Sequence, residues 1–325
     1  MERVLITGAS GFVARHLVRH LLDTGTAERI VGVDVDGPPD FLRNDDVRCA
    51  FRRMDLMDRE AVGALIRKER PDWIVHLASL SSVASSWEKP AASFSNNTGI
   101  FLNIADGARQ LGKDCRILSV GSSEVYGRVE PGDLPIGEGC RVRATSPYGV
   151  ARISQEMLSR VYWEGYGLDV VMTRSFNHFG PFQKETFVIA DFARQFALAE
   201  RSGSRDFELV AGDTDVVRDF TEVREVVRAY TLLLERGRSG ETYNVCSGVG
   251  IGLGTVIDLL GRITSLRPAV TRSVARIRPV ENPAIIGDAS KISADCGWTA
   301  CVKFEVALED TMNHWRSVLA AEGTS

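Results

Sequence analysis

The sequence is poor in the features that mark metal sites, disulfide scaffolds, membrane spans and nucleic-acid binding. Six of its 325 residues are cysteines (Cys49, Cys115, Cys140, Cys246, Cys296 and Cys301), and they form no C-x-x-C pair and no His-rich ligand spacing. Zinc sites and a disulfide framework are therefore not indicated, and free thiols in a reducing cytoplasm are expected. No stretch is long and apolar enough to span a bilayer. Met1 leads at once into a short strand and a glycine turn, without the charged segment and apolar run of a secretory leader. Net charge is also scarce: 39 Lys and Arg against 43 Asp and Glu give -4, which offers no electrostatic case for nucleic acid or acidic membranes. A soluble cytoplasmic protein with small-molecule partners and no metal is the expectation.

What is present is a rhythm. With 44% apolar and 25% charged residues the chain has an ordinary globular composition, and its length allows one large or two modest domains. Short apolar runs at Val4-Leu5-Ile6, 30–33, 73–77, 116–120 and 169–173 alternate with helical patterns near 12–24, 58–70, 91–111 and 147–166. This is a βαβ alternation, and it predicts an α/β fold with a doubly wound parallel sheet covered on both faces. After about Gly180 the pattern changes to helices near 187–201, 222–236, 253–265 and 304–319, a hairpin-like stretch near 206–216 and a strand at 242–245. The expected division is a cofactor domain over 1–180 with 217–247 returning to it. A smaller C-terminal α/β substrate lobe is expected over 181–216 and 248–325.

The first strand runs into Gly8-Ala9-Ser10-Gly11-Phe12-Val13-Ala14 and then into an apolar helix with Leu17, Val18, Leu21 and Leu22. Glycines at such a turn let backbone N–H groups approach a pyrophosphate at a helix N-terminus, whose dipole favours negative charge. Gly8, Ser10, Gly11, Phe12 and Val13 are accordingly expected to bind a dinucleotide. Asp34 closes the second strand about 20 residues beyond the turn, where an acid bonds the adenosine ribose and repels a 2'-phosphate. That favours NAD(H), with NADP(H) open and Arg43 placed to alter the balance.

A second constellation is Ser146-Pro147-Tyr148-Gly149-Val150-Ala151-Arg152. Pro147 can begin a helix, and residues four apart share its face, so Tyr148 and Arg152 reach one cleft. A phenol transfers a proton near neutrality when a neighbouring cation favours its phenolate. The segment resembles the Y-x-x-x-K signature of short-chain dehydrogenases, with a planar guanidinium where that family keeps a compact ammonium.

The resemblance is to the extended branch of that superfamily, the NAD-dependent epimerases and dehydratases acting on nucleotide sugars, and it runs over nearly the whole chain. It implies a Rossmann-type fold and gives roles to further residues. Asp55-Leu56 matches an adenine-contact pair, and Leu77-Ala78-Ser79 a turn beside the pyrophosphate and riboses. Asn96-Asn97-Thr98-Gly99 matches an N-x-x-G element that places Asn96 near the active-site helix. Gly121-Ser122-Ser123-Glu124-Val125-Tyr126-Gly127 supplies an active-site serine, Ser122, beside Tyr148 and Arg152, with Ser81, Ser123 and Glu124 on the substrate side. Glu124 stands where 4,6-dehydratases keep a base, yet similar reductases carry a glutamate there too. Arg174-Ser175-Phe176-Asn177 resembles a segment whose Asn contacts substrate. Val217-Arg218-Asp219-Phe220-Thr221 resembles one whose Arg binds a nucleotide diphosphate, and Arg278-Pro279 with Glu281 one that adds an Arg and a ribose carboxylate.

Among the branches the pattern is most similar to the reductases that act on GDP-6-deoxy-4-ketohexoses and form GDP-D-rhamnose. The resemblance implies a GDP-linked sugar as partner and a homodimer through the helices near 91–111 and 147–166. A 4,6-dehydratase, a C4 epimerase and a weakly active NAD-dependent sugar-nucleotide binder stay as alternatives, the last because of Arg152.

Overall fold

The computed structural model describes residues 2–42, 46–112, 114–203, 205–276 and 282–322. In chain order its elements are β1 (Glu2–Thr7), α1 (Phe12–Asp23), β2 (Ala27–Asp34), β3 (Cys49–Arg53), α2 (Arg59–Glu69), β4 (Trp73–His76), α3 (Val83–Glu88), α4 (Pro90–Arg109), β5 (Arg116–Ser122), α5 (Pro147–Tyr166), β6 (Val170–Ser175) and β7 (Asn177–Phe179). There follow α6 (Val188–Ser202), β8 (Asp206–Ala211), β9 (Val217–Glu222), α7 (Val223–Arg236), β10 (Thr242–Val245), β11 (Gly250–Gly252), α8 (Leu253–Thr264), β12 (Arg267–Arg272), β13 (Ala284–Ile285), α9 (Ser290–Cys296) and α10 (Phe304–Glu322).

Seven parallel strands form the main sheet in the order β10-β6-β5-β4-β1-β2-β3. Buried alternation explains why these runs are strands: Val4 and Ile6 pack with α1 and α7 on one face, while Leu5 packs with α2 and α4 on the other. Each such side chain contributes roughly 1.5–3 kcal/mol on burial. The strand order reverses between β1 and β4, which opens a crevice at the carboxyl ends of these strands. This is the doubly wound Rossmann-type architecture expected from the sequence.

The chain returns to this sheet late. α7 packs on α1, and β10 joins the edge in register with β6, Thr242 opposite Met172. Arg116 pins the returning helix: Nε pairs with Asp169 at 2.7 Å, and Nη1 donates to the Leu234 and Gly237 carbonyls at 3.0 and 3.1 Å, where cations suit a helix C-terminus.

The smaller lobe is built around β9, which pairs with β11 antiparallel and with β13 and β7 parallel. Its core is formed by α6, α8 and α10, with Phe192, Phe196, Leu260, Leu308 and Met312 buried together. The hairpin expected near 206–216 is not formed. β8 pairs parallel with the distant β12, Asp206 opposite Arg267, and β9 joins another sheet. The apolar face of β8, Leu209 and Ala211, is buried in the helical core, which takes precedence over the local turn.

Candidate active site

The glycine turn is fixed by a close approach of two backbones. Gly8 has φ +70°, and a Cβ there would lie 2.7 Å from the Ala78 nitrogen and 3.0 Å from the Leu77 carbonyl carbon. Gly11 caps α1 without a side chain, its N–H donating to the Gly8 carbonyl at 3.0 Å. The first bond into the helix comes from Arg15 N–H to Gly11 O, and the first turn holds no acidic residue. The Phe12, Val13 and Ala14 amides thus precede the helical ladder, and the dipole faces the crevice.

Asp34 sits beside this turn. Its carboxylate accepts the Ser10 N–H at 2.9 Å and the Asp36 N–H at 3.2 Å, so the acid shapes the turn. Ser10 Oγ donates to the Gly37 carbonyl.

Opposite, Ala78 N–H donates to Thr7 Oγ1 at 3.2 Å. The Leu80 peptide that continues the 77–79 turn is held by Asn97, whose Oδ1 accepts its N–H at 2.9 Å and whose Nδ2 donates to its carbonyl at 3.3 Å. It is Asn97, fully buried, and not the half-buried Asn96 singled out by its spacing, that braces this turn. The Asp55-Leu56 pair has a support of the same kind, because Asn103 Nδ2 donates to the Leu56 and Met57 carbonyls at 2.9 and 3.1 Å. Neither asparagine was expected from the sequence. The doublet Asn96-Asn97 is the one trace that could have pointed to the first.

The helix expected to carry the chemistry is α5, capped by Ser146, whose Oγ accepts the Gly149 N–H at 3.1 Å, with Pro147 at its start. Glycine follows Tyr148 because a Cβ at 149 would lie 2.8 Å from the Glu124 carbonyl oxygen. The helix is thereby seated directly on the Ser122–Val125 turn. Tyr148 and Arg152 are both buried, and the guanidinium carbon lies 5.0 Å from the Tyr148 ring centroid.

Arg152 Nη1 donates to the Val120 carbonyl at 3.2 Å and to Gln155 Oε1 at 2.5 Å, and Gln155 Nε2 donates in turn to Ser119 Oγ at 2.9 Å. Among the described residues, the hydrogen-bond partners of this buried cation are neutral. Its field reaches His76, whose pKa is pushed down to about 3 by burial and by the Arg152 charge. Two buried polar atoms here, Arg152 Nε and Ser79 Oγ, have no protein partner among the described residues. Buried groups of this kind are normally satisfied, and a dinucleotide supplies hydroxyls and phosphate oxygens that would satisfy both. The residues present therefore fit such a cofactor.

Ser122 ends β5 and caps the following turn, its Oγ accepting the Glu124 N–H at 3.2 Å. Its position is set by the pairing of β5 with β6, where Ser122 lies opposite Ser175. Ser123 and Glu124 are half-buried in the same turn, and Ser81 is exposed ahead of α3.

Of the residues expected to meet substrate, Asn177 is exposed at the start of β7, where the neighbouring His178 stacks on Phe12 with ring centroids 6.1 Å apart. Arg218 is half-buried on β9, with Nη1 donating to the Val217 and Asn282 carbonyls, both at 2.8 Å. Its neighbour Asp219 is a hub, accepting from the Ser247 amide and hydroxyl and from the Gly248 and Gly287 amides. Burial raises the Asp219 pKa, and these bonds oppose the rise. Arg43, Arg278 and Glu281 lie outside the described residues. Among the described residues no cluster of side chains suits a metal ion, and no helix is long and apolar enough to cross a membrane.

Comparison with known proteins gives this geometry a family. GDP-6-deoxy-D-mannose reductase from Pseudomonas aeruginosa is 32% identical over 321 residues, covering 99% of both chains. The dTDP-glucose 4,6-dehydratase of Shigella flexneri is 27% identical, over 95% of this chain and 91% of its own. Among solved structures, RMD from Pseudomonas aeruginosa complexed with NADPH superposes with a TM-score of 0.85 at 30% identity, covering 98% of this chain and 100% of that one. UDP-glucose 4-epimerase of Thermus thermophilus in complex with NAD gives a TM-score of 0.84 at 30% identity, covering 97% and 99%. The model of the GDP-mannose 4,6 dehydratase family matches residues 5–311, and with it nearly the whole fold and the crevice just described; the chain belongs to that family.

Proposed function

We propose that the protein reduces the C4 ketone of a GDP-linked 6-deoxy-4-ketohexose, giving GDP-D-rhamnose or a related GDP-deoxyhexose. The observation that carries this reading is the buried Tyr148–Arg152 pair, whose cation bonds to neutral partners, on a helix seated against the Ser122 turn. Bound nicotinamide would supply the hydride. Tyr148 donates a proton to the ketone oxygen as it becomes an alkoxide, Ser122 donates a hydrogen bond to the same oxygen, and Arg152 holds the cofactor ribose and favours the tyrosinate left behind. Gly8, Ser10, Gly11, Phe12 and Val13 hold the pyrophosphate, and Asp55, Leu56, Leu77, Ala78, Ser79 and Asn96 line the rest of the cofactor site.

Asp34 favours NAD(H), while the NADPH in the Pseudomonas relative keeps NADP(H) as the second cofactor to assay. Asn177, Arg218, Arg278 and Glu281 take the nucleotide sugar, with Ser81, Ser123 and Glu124 beside the hexose. In this reading the nucleotide-sugar lobe takes in 181–216, β9 and most of 248–325, while α9 and Trp298 go with the cofactor domain. Phe94, Val150, Met157 and Val161 are exposed on α4 and α5, and we read this apolar face as the contact of a homodimer. A cytoplasmic location fits free thiols and a nicotinamide-dependent reaction.

A second reading is favoured by Glu124, two residues beyond Ser122. A 4,6-dehydratase would use it as the base of an elimination, with no net consumption of reduced nicotinamide. The test is incubation with GDP-4-keto-6-deoxymannose and NADH or NADPH, following nicotinamide absorbance and the sugar product. Stoichiometric oxidation with a 4-hydroxy product is expected. Absence of oxidation with both ligands bound refutes the reductase, and water loss from GDP-mannose would establish the dehydratase.

A further inference from the structure

We propose that Asn282 is a positioning residue that fixes the diphosphate grip relative to the catalytic turn. The proposal rests on the reading of Arg218 as a phosphate ligand and of Ser122 and Glu124 as groups facing the hexose. Asn282 Nδ2 donates to the Gly127 carbonyl at 2.7 Å, and its Oδ1 accepts the Val129 N–H at 3.1 Å. The side-chain amide therefore pairs with the 127–129 backbone as a second strand would. That backbone leaves the Ser123–Val125 turn directly. The main chain of the same residue faces the other way, its carbonyl accepting from Arg218 Nη1 at 2.8 Å. One residue on, the Pro283 carbonyl accepts the Val217 N–H at 2.8 Å, and β13 then runs parallel with β9. A single residue thus bridges Arg218 and the chain that follows Glu124, segments otherwise far apart in sequence.

The bridge has a mechanical consequence. The reacting C4 carbon and the diphosphate belong to one ligand, so they are aligned together only if the two protein segments keep a fixed separation. An error near 1 Å in such alignment lowers rate on the order of 100-fold. An amide that reads one backbone at both a donor and an acceptor resists sliding in either direction.

The test uses the full chain with Asn282→Leu, which keeps the bulk and removes both bonds. With GDP-4-keto-6-deoxymannose and NADH, kcat is expected to fall about tenfold or more, since each lost bond corresponds to roughly a factor of ten. The Kd of GDP measured by calorimetry should change less than about threefold, because Arg218 remains. In amide hydrogen exchange, GDP-mannose should raise protection at residues 127–129 of the native chain and not of the variant. If Asn282→Leu does not fold, Asn282→Asp keeps the acceptor for Val129 and loses the donor to Gly127, and the same split is expected.

A proportional loss of GDP affinity and kcat, or ligand-dependent protection that persists in the variant, would overturn the proposal. If the native chain binds GDP-mannose without reducing the ketosugar, the proposed reaction fails by itself, and the exchange experiment still decides the coupling. No response of the native chain to GDP-mannose overturns both.

Discussion

Replacing Gly8 with alanine should damage cofactor binding far more than its backbone angle alone predicts, and the chain contains its own control. Gly8 and Gly25 have nearly the same φ, +70° and +67°. An L-residue in that conformation costs about 1–2 kcal/mol at either site. Their surroundings differ: a Cβ at Gly25 meets nothing within 4 Å, whereas one at Gly8 lies 2.7 Å from the Ala78 nitrogen and 2.9 Å from its Cα. Neither contact is with a flexible side chain, so relief requires the 8–11 turn and the 77–79 turn to move apart. Overpacking of this kind adds about 1–3 kcal/mol. Gly8→Ala is therefore expected to lose about 2–5 kcal/mol in urea unfolding, against about 1–2 kcal/mol for Gly25→Ala. The displacement also separates the Phe12 and Val13 amides from the groups facing them. Loss of one charge-assisted bond to the pyrophosphate lowers affinity about 10-fold to 100-fold. Titration of NADH fluorescence should give that loss for Gly8→Ala and none for Gly25→Ala. Equal destabilisation by the two substitutions, with unchanged NADH affinity, would show that the approach to Ala78 does not build the site.

Tyr148→Phe keeps the buried ring and removes the proton donor, so kcat should fall about 100-fold to 10,000-fold with NADH affinity within about twofold; near-native kcat would remove Tyr148 from the chemistry. Arg152→Lys exchanges a fork bonded to Val120 and Gln155 for a single ammonium, and turnover should be equal or lower; a rise would mean that arginine impairs the native site. The His76 imidazole, pushed down to about 3 in the folded chain, binds its proton more weakly than in the unfolded chain. Its contribution to stability is therefore complete above pH ~6.5 and is lost at up to about 1.4 kcal/mol per pH unit on acidification. His76→Asn should flatten urea stability between about pH 6 and 4, and an unchanged slope would refute the assignment. Met157→Glu places a charge on the apolar face of α5 at a residue 63% exposed. Sedimentation should give a dimer for the native chain and a monomer for the variant, and a monomeric native chain would refute the interface.

The main sheet was legible because most of its strands are apolar runs set between helical patterns, a signal carried by neighbouring residues. β3 escaped because it pairs only with β2 and ends in Arg52-Arg53, so its sequence lacks the apolar character of the buried strands. The short helices α3 and α9 offer too few turns for a periodicity. The partnership of β8 with β12 depends on packing between remote segments, which no local spacing records. The site divides along the same line. The Gly8–Gly11 turn and the Tyr148–Arg152 pair act through short spacings, and both can be read along the chain. Asn97, Asn103 and Asn282 act by bonding to backbone far away, and their side chains carry no spacing signal. On α4 successive residues point about 100° apart, so Asn97 bonds the Leu80 peptide while its neighbour Asn96 faces a different direction.

The structure also separates two tyrosine–arginine pairs that chemistry alone would treat alike. Arg174 lies over the Tyr126 ring at 4.9 Å, nearly the same distance as Arg152 over Tyr148, 5.0 Å. The Arg174 charge is consumed by a two-pronged pair with Glu156 at 2.9 and 2.7 Å, and the Tyr126 hydroxyl donates to Asn244 at 2.7 Å. Burial pushes the Tyr126 pKa up to about 12, which unfits that phenol for proton transfer near neutrality. Arg152 has no such acid among the described residues. Its bonds go to a carbonyl and an amide oxygen, which satisfy donors without cancelling charge, and burying a cation on those terms is unfavourable by several kcal/mol. A fold that serves stability alone would neutralise Arg152 as it neutralises Arg174. Keeping the charge uncompensated beside Tyr148 makes sense where negative charge is to arrive, on the phenol oxygen as it gives up its proton.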